Sequence, residues 1–514
     1  MVGSRSRLWA RAGAALLMVV CLEKTPPAIA EQLPDARAQV QHLLRRLAFS
    51  ASPAAVSTVA AVGSDAWLRA QLTPTSIDDS AAIASLEPEP VTTNPDGTIP
   101  NEFAYERRFI QRAVRSLRQV QMKLVLHWID HFAVDDEKVH DQAMMSRYET
   151  VLRNGGLGNF EQLVAAVAAE PAMLIWLDND GNTAPLPNEN FARELMQIYL
   201  MGVDRLNADG SVILGSDGNP VPNYSQADVQ QVALAMTGFN VVWNDSDPNP
   251  NTGFSVSFDP GSHYPGSRQI MGQTVQVPAN ATCIKAIVHF LVSQPSVAPF
   301  QVRELLQRFV TETPSPRYIS DIVQVWNAHL NDPNQLASVM WAIAHHPEFN
   351  TAYHAMPKQP VELVLGALRQ LPGVLRPSVG QGPGDDLVSG GWLALLGQEP
   401  YFPPSVFSFY RPGQLSSLIN TNLVLQRTGT FTDVAGSKPS DDTANVLIDI
   451  RTLRNRIGTT AGPKIAAYLL DALVDGGTPA LQQTMATYLG AKPDDDQLRG
   501  ALWLLLNSPS YAVN

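Results

Sequence analysis

The chain has 514 residues, of which 45% are apolar and 16% are charged, and its net charge is −12. The length excludes a disulfide-stapled miniprotein, and the high apolar share excludes an intrinsically disordered chain. The excess of acidic residues argues against general electrostatic binding to nucleic acid or to an anionic membrane.

The first 30 residues predict a signal peptide for export. Arg5, Arg7 and Arg11 precede the apolar run 12–22, and a small-x-small cleavage pattern ends at Ala30. The run of 11 apolar residues is too short for a membrane span, which needs about 20. We therefore predict cleavage after Ala30 and a periplasmic or secreted mature protein.

The mature chain, residues 31–514, has a net charge of −15 and a single cysteine, Cys283. Because one thiol cannot form an intrachain disulfide, the stability of the fold must come from its core. No later stretch has the roughly 18 uninterrupted apolar residues of a membrane span, so no transmembrane segment is predicted after cleavage. We interpret residues 31–514 as one domain.

Helix-period spacing of apolar residues runs through most of the mature chain and predicts a mainly α fold. The first helix carries Leu43, Leu44 and Leu47 on one face, and a long second helix is predicted over about 103–132. Ser225 with Asp228 forms a variant of the capping box before a later helix. Further helices are predicted at about 138–154, 159–169, 188–201, 225–237, 282–294, 298–311, 317–330, 334–346, 359–370, 419–428, 443–456, 463–474, 479–489 and 494–507.

Residues 240–280 interrupt this pattern with a segment rich in Asn, Asp, Pro and Gly. The alternation at 254–258 (FSVSF) and the segment 274–277 (TVQV) predict two or three antiparallel strands. Polar stretches at 88–101 and 376–391 predict loops. The predicted fold is a large multi-helix domain with a small antiparallel β excursion near 240–280.

The helix that begins near residue 188 carries a candidate catalytic set, Glu189, Arg193 and Glu194, on its polar arc. One interpretation is an amphipathic helix stabilised by an i,i+4 ion pair between Glu189 and Arg193. The other is a buried site in which two carboxylates and a guanidinium perform acid–base chemistry. We also expect Arg193 and Glu194 to belong to a buried ion pair, so that replacing either residue destabilises the fold more than a surface change would.

Oxygen-bearing side chains directly before this helix partly match a calcium loop. Asp178, Asp180, Asn182 and Glu189 stand at positions 1, 3, 5 and 12 of that pattern. Position 6 is Thr183, where the loop needs glycine. Asp178 and Asp180 are therefore either calcium ligands or ordinary turn formers.

Histidines give a second hypothesis for a divalent metal ion. His127 and His131 stand at i,i+4 on one helix face, a spacing at which two imidazoles can bind one ion. A third ligand would come from His263, Glu189 or Glu194. No HExxH motif is present, so the zincin class is excluded, and GxSxG, phosphate-loop and CxxC motifs are also missing from the sequence. The alternative is that the histidines make structural hydrogen bonds in the core.

Five segments together resemble one bacterial family, catalogued as domain of unknown function 1800. The most specific parts are the strings NENFAREL and PPSVFSFYRPG. The five segments are 42–56, 127–134, 187–203 with 228–239, 358–371 and 395–413.

The resemblance implies an exported, mainly helical protein, often encoded beside a second exported family, with no established activity. Two positions depart from the pattern of the family. Ile129 stands where the pattern W-H-x-H-F has its first histidine, and Tyr264 follows His263 where an aspartate is usual. These departures weaken the case for a metal-dependent activity in this member.

Two functions are open at this point. The favoured interpretation is a periplasmic or extracellular binding or scaffold protein that acts with another exported protein. The alternative is a metal-dependent hydrolase or another enzyme with a His/Glu/Arg pocket. That pocket would gather His131, Glu189, Arg193, Glu194 and His263.

Overall fold

The structure is a computed structural model that describes residues 35–90, 103–244, 253–351, 356–375, 391–409, 413–415, 421–436 and 446–514. The predicted signal peptide and its cleavage site lie outside the described residues. Most of the two predicted loops at 88–101 and 376–391 also lie outside them.

Helices dominate the described chain, as the apolar spacing predicts. The α-helices are α1 (Ala36–Leu47), α2 (Pro53–Val62), α3 (Ser64–Leu72), α4 (Ser80–Ile83), α5 (Ala104–Arg115), α6 (Gln119–His131), α7 (Asp136–Val139), α8 (Gln142–Gly155), α9 (Phe160–Ala168), α10 (Pro171–Trp176), α11 (Asn190–Glu194), α12 (Gln226–Ala235), α13 (Cys283–Val292), α14 (Val297–Phe309), α15 (Pro316–Ala328), α16 (Gln335–His345), α17 (Pro360–Gln370), α18 (Trp392–Leu395), α19 (Thr421–Gly436), α20 (Ile450–Ile457), α21 (Gly462–Val474), α22 (Pro479–Leu489) and α23 (Asp495–Leu506). A π-helical turn, Leu195–Leu200, continues α11. Short 3-10 helices lie at Pro74–Ser76, Pro347–Thr351 and Pro509–Ala512.

Several helices begin where a side chain caps the backbone N–H groups. The predicted capping box of α12 is present, because Ser225 and Asp228 each accept a hydrogen bond from the backbone N–H of the other. Asp494 and Gln497 form the same arrangement at α23. Such caps satisfy donors that the first turn of a helix leaves unpaired, so these helix starts are encoded locally.

The long helix predicted over about 103–132 is in fact two helices, α5 and α6, so that prediction was wrong. The Ser116 hydroxyl donates to Asp79 Oδ2 at 2.7 Å, and the Leu117 N–H donates to Asp79 Oδ1 at 2.6 Å. Because Asp79 supplies partners from outside the helix, these groups are satisfied without continuing it. Apolar spacing contains no signal for a break that a distant carboxylate stabilises.

The β excursion contains two antiparallel hairpins, with more strands than predicted. A third two-stranded pair lies outside it, next to α17 and α20. The three pairs are β1 (Phe239–Trp243) with β2 (Phe254–Phe258), β3 (Gly266–Ile270) with β4 (Gln273–Val277), and β5 (Gly373–Leu375) with β6 (Val446–Ile448). The mainly α fold with a small antiparallel excursion is confirmed.

Two hydrophobic clusters form most of the core. The larger draws its residues mainly from α1 to α16, and the second comes from α17 and α19 to α23. Helix α17 contributes to both, with Val361 and Leu365 in the larger cluster and Leu363 and Ala367 in the second. The C-terminal helices are therefore tied to the rest of the fold through α17, and the assignment of one domain stays a prediction.

Among the described residues, no single helix combines the length and the hydropathy of a membrane span. Helices α13 and α14 meet those criteria only when taken together, across a bend of 79°.

Candidate functional site

Polar side chains form one stripe along α6, a helix that is otherwise mainly apolar and buried. Lys123, His127, Asp130 and His131 stand at i, i+4, i+7 and i+8, so they share one face of the helix. Buried charged groups and imidazoles require partners from neighbouring elements. Helices α14 and α17 supply them.

Helix α14 faces this stripe with Glu304 and Arg308, which stand at i,i+4 on one face. Arg308 Nη1 lies 3.4 Å from Asp130 Oδ2, and Glu304 Oε2 lies 2.8 Å from His131 Nδ1. The side chain of Arg308 is buried, and that of Asp130 is 16% exposed. Two polar contacts therefore join α6 to α14 in a largely dry environment.

His131 is held at both of its ring nitrogens. Its Nε2 donates to the carbonyl oxygen of Tyr199 at 3.0 Å, while Nδ1 faces Glu304. The same carbonyl accepts a hydrogen bond from Gln301 Nε2 at 2.9 Å. Tyr199 belongs to the π-helical turn after α11, a type of turn that frequently marks functional sites. Because Nε2 carries a hydrogen toward a carbonyl, it offers no lone pair to a metal ion.

Asp130 is fixed by a segment that follows α18. Ser408 Oγ donates to Asp130 Oδ1 at 3.2 Å, and Gln398 Nε2 donates to Asp130 Oδ2 at 3.4 Å. Ser408 has a φ of 58°, an uncommon backbone conformation for serine that often accompanies a functional constraint. Burial raises the pKa of Asp130 to about 6, although the Arg308 charge and the Ser408 hydrogen bond oppose the increase. This carboxyl therefore changes its charge close to neutral pH.

The deeper part of the α6 stripe is a buried ion pair with α17. Lys123 Nζ lies 2.8 Å from Glu362 Oε1, and the two side chains are 3% and 7% exposed. Burial lowers the pKa of Lys123, and the charge of Glu362 opposes that decrease. Burial alone would raise the pKa of Glu362, but the charges of Lys123 and Arg308 outweigh it and lower that pKa. Each charge of the pair therefore favours the ionised form of its partner.

His127 is buried and lies between these two charged groups on the α6 stripe. Burial lowers the pKa of His127 well below its usual value, and the charges of His131 and Arg308 act in the same direction. The ring is therefore neutral at pH 7. Its Nε2 is buried and has no hydrogen-bond partner among the described residues. An unpaired buried polar atom costs about 1–3 kcal/mol, which marks this nitrogen as a group available to a ligand.

A cavity of about 450 Å³ opens beside these side chains. Its volume falls within the range of small-molecule sites. The charged and imidazole groups on its wall are His127, Asp130, His131, Asp204, Arg303, Glu304 and Arg308. Apolar lining comes from Ile198, Val203, Leu206, Val212, Phe300 and Phe407.

The two arginines of the cavity have unused hydrogen-bonding capacity. Arg308 Nε and Nη2 are buried and form no hydrogen bond within the described part of the chain. Arg303 is half-buried and makes no ion pair there, and its Nη1 donates to the Gly210 carbonyl at 3.5 Å. Guanidinium donors that converge on a cavity favour a ligand that accepts hydrogen bonds and carries negative charge.

The predicted catalytic residues Glu189, Arg193 and Glu194 do not line this cavity. Arg193 Nη2 pairs with Glu189 Oε2 at 2.8 Å, and Gln226 Nε2 donates to the same oxygen at 2.5 Å. The side chains of Arg193 and Glu189 are 38% and 27% exposed, so the expectation of a buried ion pair was wrong for Arg193. Burial raises the pKa of Glu194, and the charge of Arg193 opposes this. The geometry of the pair is that of the amphipathic-helix interpretation.

The carboxylates of the candidate calcium loop have separate protein partners. Asp178 Oδ1 lies 2.5 Å from Lys138 Nζ. Asp180 Oδ1 accepts a hydrogen bond from the backbone N–H of Val241 at 2.6 Å. The two carboxylates therefore bind different partners, Lys138 and the backbone of Val241, as residues of a structural turn can do.

His263 is also engaged by the backbone. Its Nδ1 lies 3.0 Å from the Thr237 carbonyl oxygen, and its Nε2 lies 2.9 Å from the Pro278 carbonyl oxygen. Across the residues that the structure describes, no three His, Cys, Asp or Glu side chains form a group that could hold a metal ion. The fold therefore does not assemble the candidate metal ligands His127, His131, His263, Asp178 and Asp180 into one site.

The family model described as "Protein of unknown function (DUF1800)" matches residues 42–513, a range that includes every helix of the cavity. The chain belongs to the DUF1800 family. This confirms the resemblance carried by the five sequence segments. No curated protein and no solved structure matches the chain.

Sequence reasoning did not include the partners that complete the site of this DUF1800 protein. They are Lys123, Glu304, Arg308 and Glu362. A usable signal exists for two of them, because Lys123 and Glu362 are isolated charges inside the apolar stretches MKLVL and PVELVLG. A charge at such a position must be paired once the helix is buried. The pairing partner itself cannot be read from local spacing.

Proposed function

We propose that this DUF1800 protein is a binding protein whose cavity takes a small molecule that carries negative charge. The observation that carries the proposal is the state of Arg308, a buried guanidinium with two unpaired donor nitrogens on the cavity wall. A buried charge normally has its donors satisfied. A ligand that accepts hydrogen bonds from Arg308 would supply the missing partners.

A second unpaired atom supports the same conclusion. His127 Nε2 is buried on the same wall, so a ligand bound to Arg308 has another polar contact within the cavity. Asp130 and Glu304 already contact Arg308 and His131. Arg303 makes no ion pair among the described residues, so its guanidinium adds to the hydrogen-bond donors that an anionic ligand would contact.

A thermal-shift screen of a small-molecule collection on residues 31–514 tests this proposal, with each hit repeated on Arg308→Gln. Arg317→Gln is the matched control, because Arg317 is 84% exposed on α15 and does not line the cavity. We expect anionic hits that raise the melting temperature of the wild type and the control but not of Arg308→Gln. A ligand at 100 times its dissociation constant adds about 2.7 kcal/mol of stability. Hits that stabilise all three proteins equally would contradict the proposal.

We also propose that the protein is exported and acts with a second exported protein. The basic start of the chain, the apolar run 12–22 and the pattern ending at Ala30 support export. The family resemblance supports a partner. N-terminal sequencing of protein recovered from the periplasm or the medium should begin at Glu31, and recovery of an uncleaved chain from the cytoplasm would contradict export.

A second candidate is an enzyme that uses acid–base chemistry in the same cavity. In its favour, burial raises the pKa of Asp130 to about 6 next to the neutral ring of His127. Groups that titrate near neutral pH are suited to proton transfer. This alternative moves the predicted pocket from Glu189, Arg193 and Glu194 to Asp130 and His127.

A panel of chromogenic esters and amides tests the enzyme candidate, with Asp130→Asn and Glu189→Gln compared. We expect a pH–rate limb near 6 that is lost in Asp130→Asn and kept in Glu189→Gln, because Glu189 does not line the cavity. Turnover that is equal in both variants would exclude Asp130 as the proton-transfer group.

A further inference from the structure

The cavity has two chemically different ends. Its polar wall carries the unpaired nitrogens of Arg308 and His127. Its mouth is defined by Val203, Val212 and Phe407, apolar lining residues that are 49%, 39% and 37% exposed. Apolar side chains that are exposed together at the entrance of a cavity indicate a surface that a ligand covers.

We propose that the ligand is a monocarboxylate with an apolar body, whose carboxylate contacts Arg308 and His127 and whose body covers the mouth. The inference rests on the proposed binding function and names its ligand class. A carboxylate matches the planar donor set of a guanidinium.

The number of charges on the ligand is limited by the acidic residues of the same wall. Asp130 lies 3.4 Å from Arg308 Nη1, Glu304 lies 2.8 Å from His131 Nδ1, and Asp204 also lines the cavity. A phosphate ester or a dicarboxylate would bring a second negative charge close to them. Like charges in a poorly solvated site repel strongly, so the wall favours a single negative charge.

The size of the apolar part follows from the lining. Ile198, Leu206 and Phe300 continue the apolar surface from the mouth into the cavity, whose volume is about 450 Å³. This volume is far larger than a water molecule occupies and holds an acyl chain or an aromatic ring. The carboxyl terminus of a peptide with a hydrophobic last residue has the same chemistry, and the experiment separates the two sources.

Calorimetric titration of residues 31–514 with acetate, octanoate, 1-octanol, adipate and N-acetyl-leucine tests the ligand class. We expect octanoate to bind roughly tenfold or more tightly than acetate, because its methylene groups leave water at the mouth. We expect 1-octanol and adipate to bind at least about tenfold more weakly than octanoate, since one lacks the charge and the other has an excess charge. Tighter binding of N-acetyl-leucine than of octanoate would assign the carboxylate to a peptide terminus.

Two variants assign the contacts. Val212→Ser, at an exposed position, should weaken octanoate binding severalfold and leave acetate binding unchanged. Arg303→Gln keeps the buried Arg308–Asp130 pair intact and should weaken the binding of both acids. It therefore tests the role of the guanidinium donors even if an Arg308 variant does not fold. Equal affinity for acetate and octanoate would overturn the proposed ligand class.

The outcomes also distinguish the ligand class from the binding function. If these acids do not bind while other anions depend on Arg308 in the thermal-shift screen, the ligand class is wrong and the binding function stands. If neither experiment finds an Arg308-dependent ligand, both proposals fail.

Discussion

Arg308 of α14 lies opposite Asp130 of α6, with 3.4 Å between its Nη1 and Oδ2 of the carboxylate. The contact uses one nitrogen of the guanidinium and leaves Nε and Nη2 unpaired in the described structure. The pair therefore neutralises charge without filling the hydrogen-bonding capacity of the arginine. The Glu189–Arg193 pair differs from this buried pair, because both of its side chains are partly exposed to solvent.

Asp130 should make anion binding depend on pH. Its carboxyl faces Arg308 and Glu362 and is hydrogen-bonded by Ser408 and Gln398, and burial raises its pKa to about 6. As the pH falls through about 6, protonation removes a negative charge beside Arg308, so octanoate affinity should rise between about three- and tenfold. Octanoate itself stays ionised above about pH 5.

Asp130→Asn mimics the protonated carboxyl and provides the matched comparison. We expect this variant to bind octanoate at pH 7.5 about as tightly as the wild type does at low pH, with little remaining pH dependence. Titration calorimetry between about pH 5.5 and pH 8 measures both proteins. An unchanged pH profile in the variant would assign the dependence to another group.

His127 should give the fold a stability that is lost in acid. Burial lowers its pKa well below the usual value, so the unfolded chain binds a proton at a higher pH than the native protein. Stability from this group is present above about pH 6.5 and falls as the pH decreases below it, by at most about 1.4 kcal/mol per pH unit. His127→Gln should flatten this part of the curve.

The effect of Asp130 on stability has the opposite sign. Its raised pKa means that the native state binds the proton more readily, so stability increases as the pH falls from about 6 toward the unfolded value. Urea unfolding of the two single variants between about pH 5 and pH 7.5 therefore separates the two groups. Identical slopes in His127→Gln and the wild type would show that the imidazole is not buried in its neutral form.

The buried Lys123–Glu362 pair should matter far more for stability than the exposed helix pair. Glu362→Gln leaves the Lys123 ammonium buried without its counter-charge, which should cost about 3–5 kcal/mol in urea unfolding. Arg193→Ala removes half of a partly exposed pair and should cost about 1 kcal/mol or less.

The double variant Lys123→Met/Glu362→Met separates charge from packing. Two apolar side chains of similar length need no counter-charge, so much of the lost stability should return. A Glu362→Gln protein as stable as Arg193→Ala would contradict the burial of the pair.

Cys283 should be chemically silent in the native protein. Its thiol is buried at the start of α13, and burial raises its pKa to about 12. Because the thiolate is the reactive form, a thiol reagent should label residues 31–514 only after unfolding in urea. The double variant Cys283→Ser/Thr282→Cys moves the thiol to an exposed neighbouring position and should react in the native state. Fast native labelling of Cys283 would contradict its burial.

Local sequence determined much of the secondary structure. The helices predicted at 359–370, 463–474 and 479–489 agree with the structure to within one residue at each end. The Ser225 capping box was also predicted correctly, because its donors and acceptors lie within four residues. The break between α5 and α6 was missed, since it depends on Asp79, more than thirty residues away.

The candidate site was only half visible in the sequence. His127 and His131 were selected because an i,i+4 spacing is a local pattern. Their spacing suggested a shared metal ion, whereas in the fold Nε2 of His131 donates to a backbone carbonyl and His127 faces the cavity. The same spacing serves either chemistry, and the neighbouring helices decide between them.

Three properties can be read from the sequence alone: the DUF1800 family, the helical periodicity, and the scarcity of charge that makes each buried ionic group conspicuous. Which charges meet depends on how the helices pack, because Asp130, Arg308 and Glu362 lie on three helices far apart in the chain. Periodicity determines on which face of its own helix a residue lies, whereas packing determines which face of another helix lies opposite it. The unpaired donors of Arg308 follow from this packing and cannot be read from periodicity.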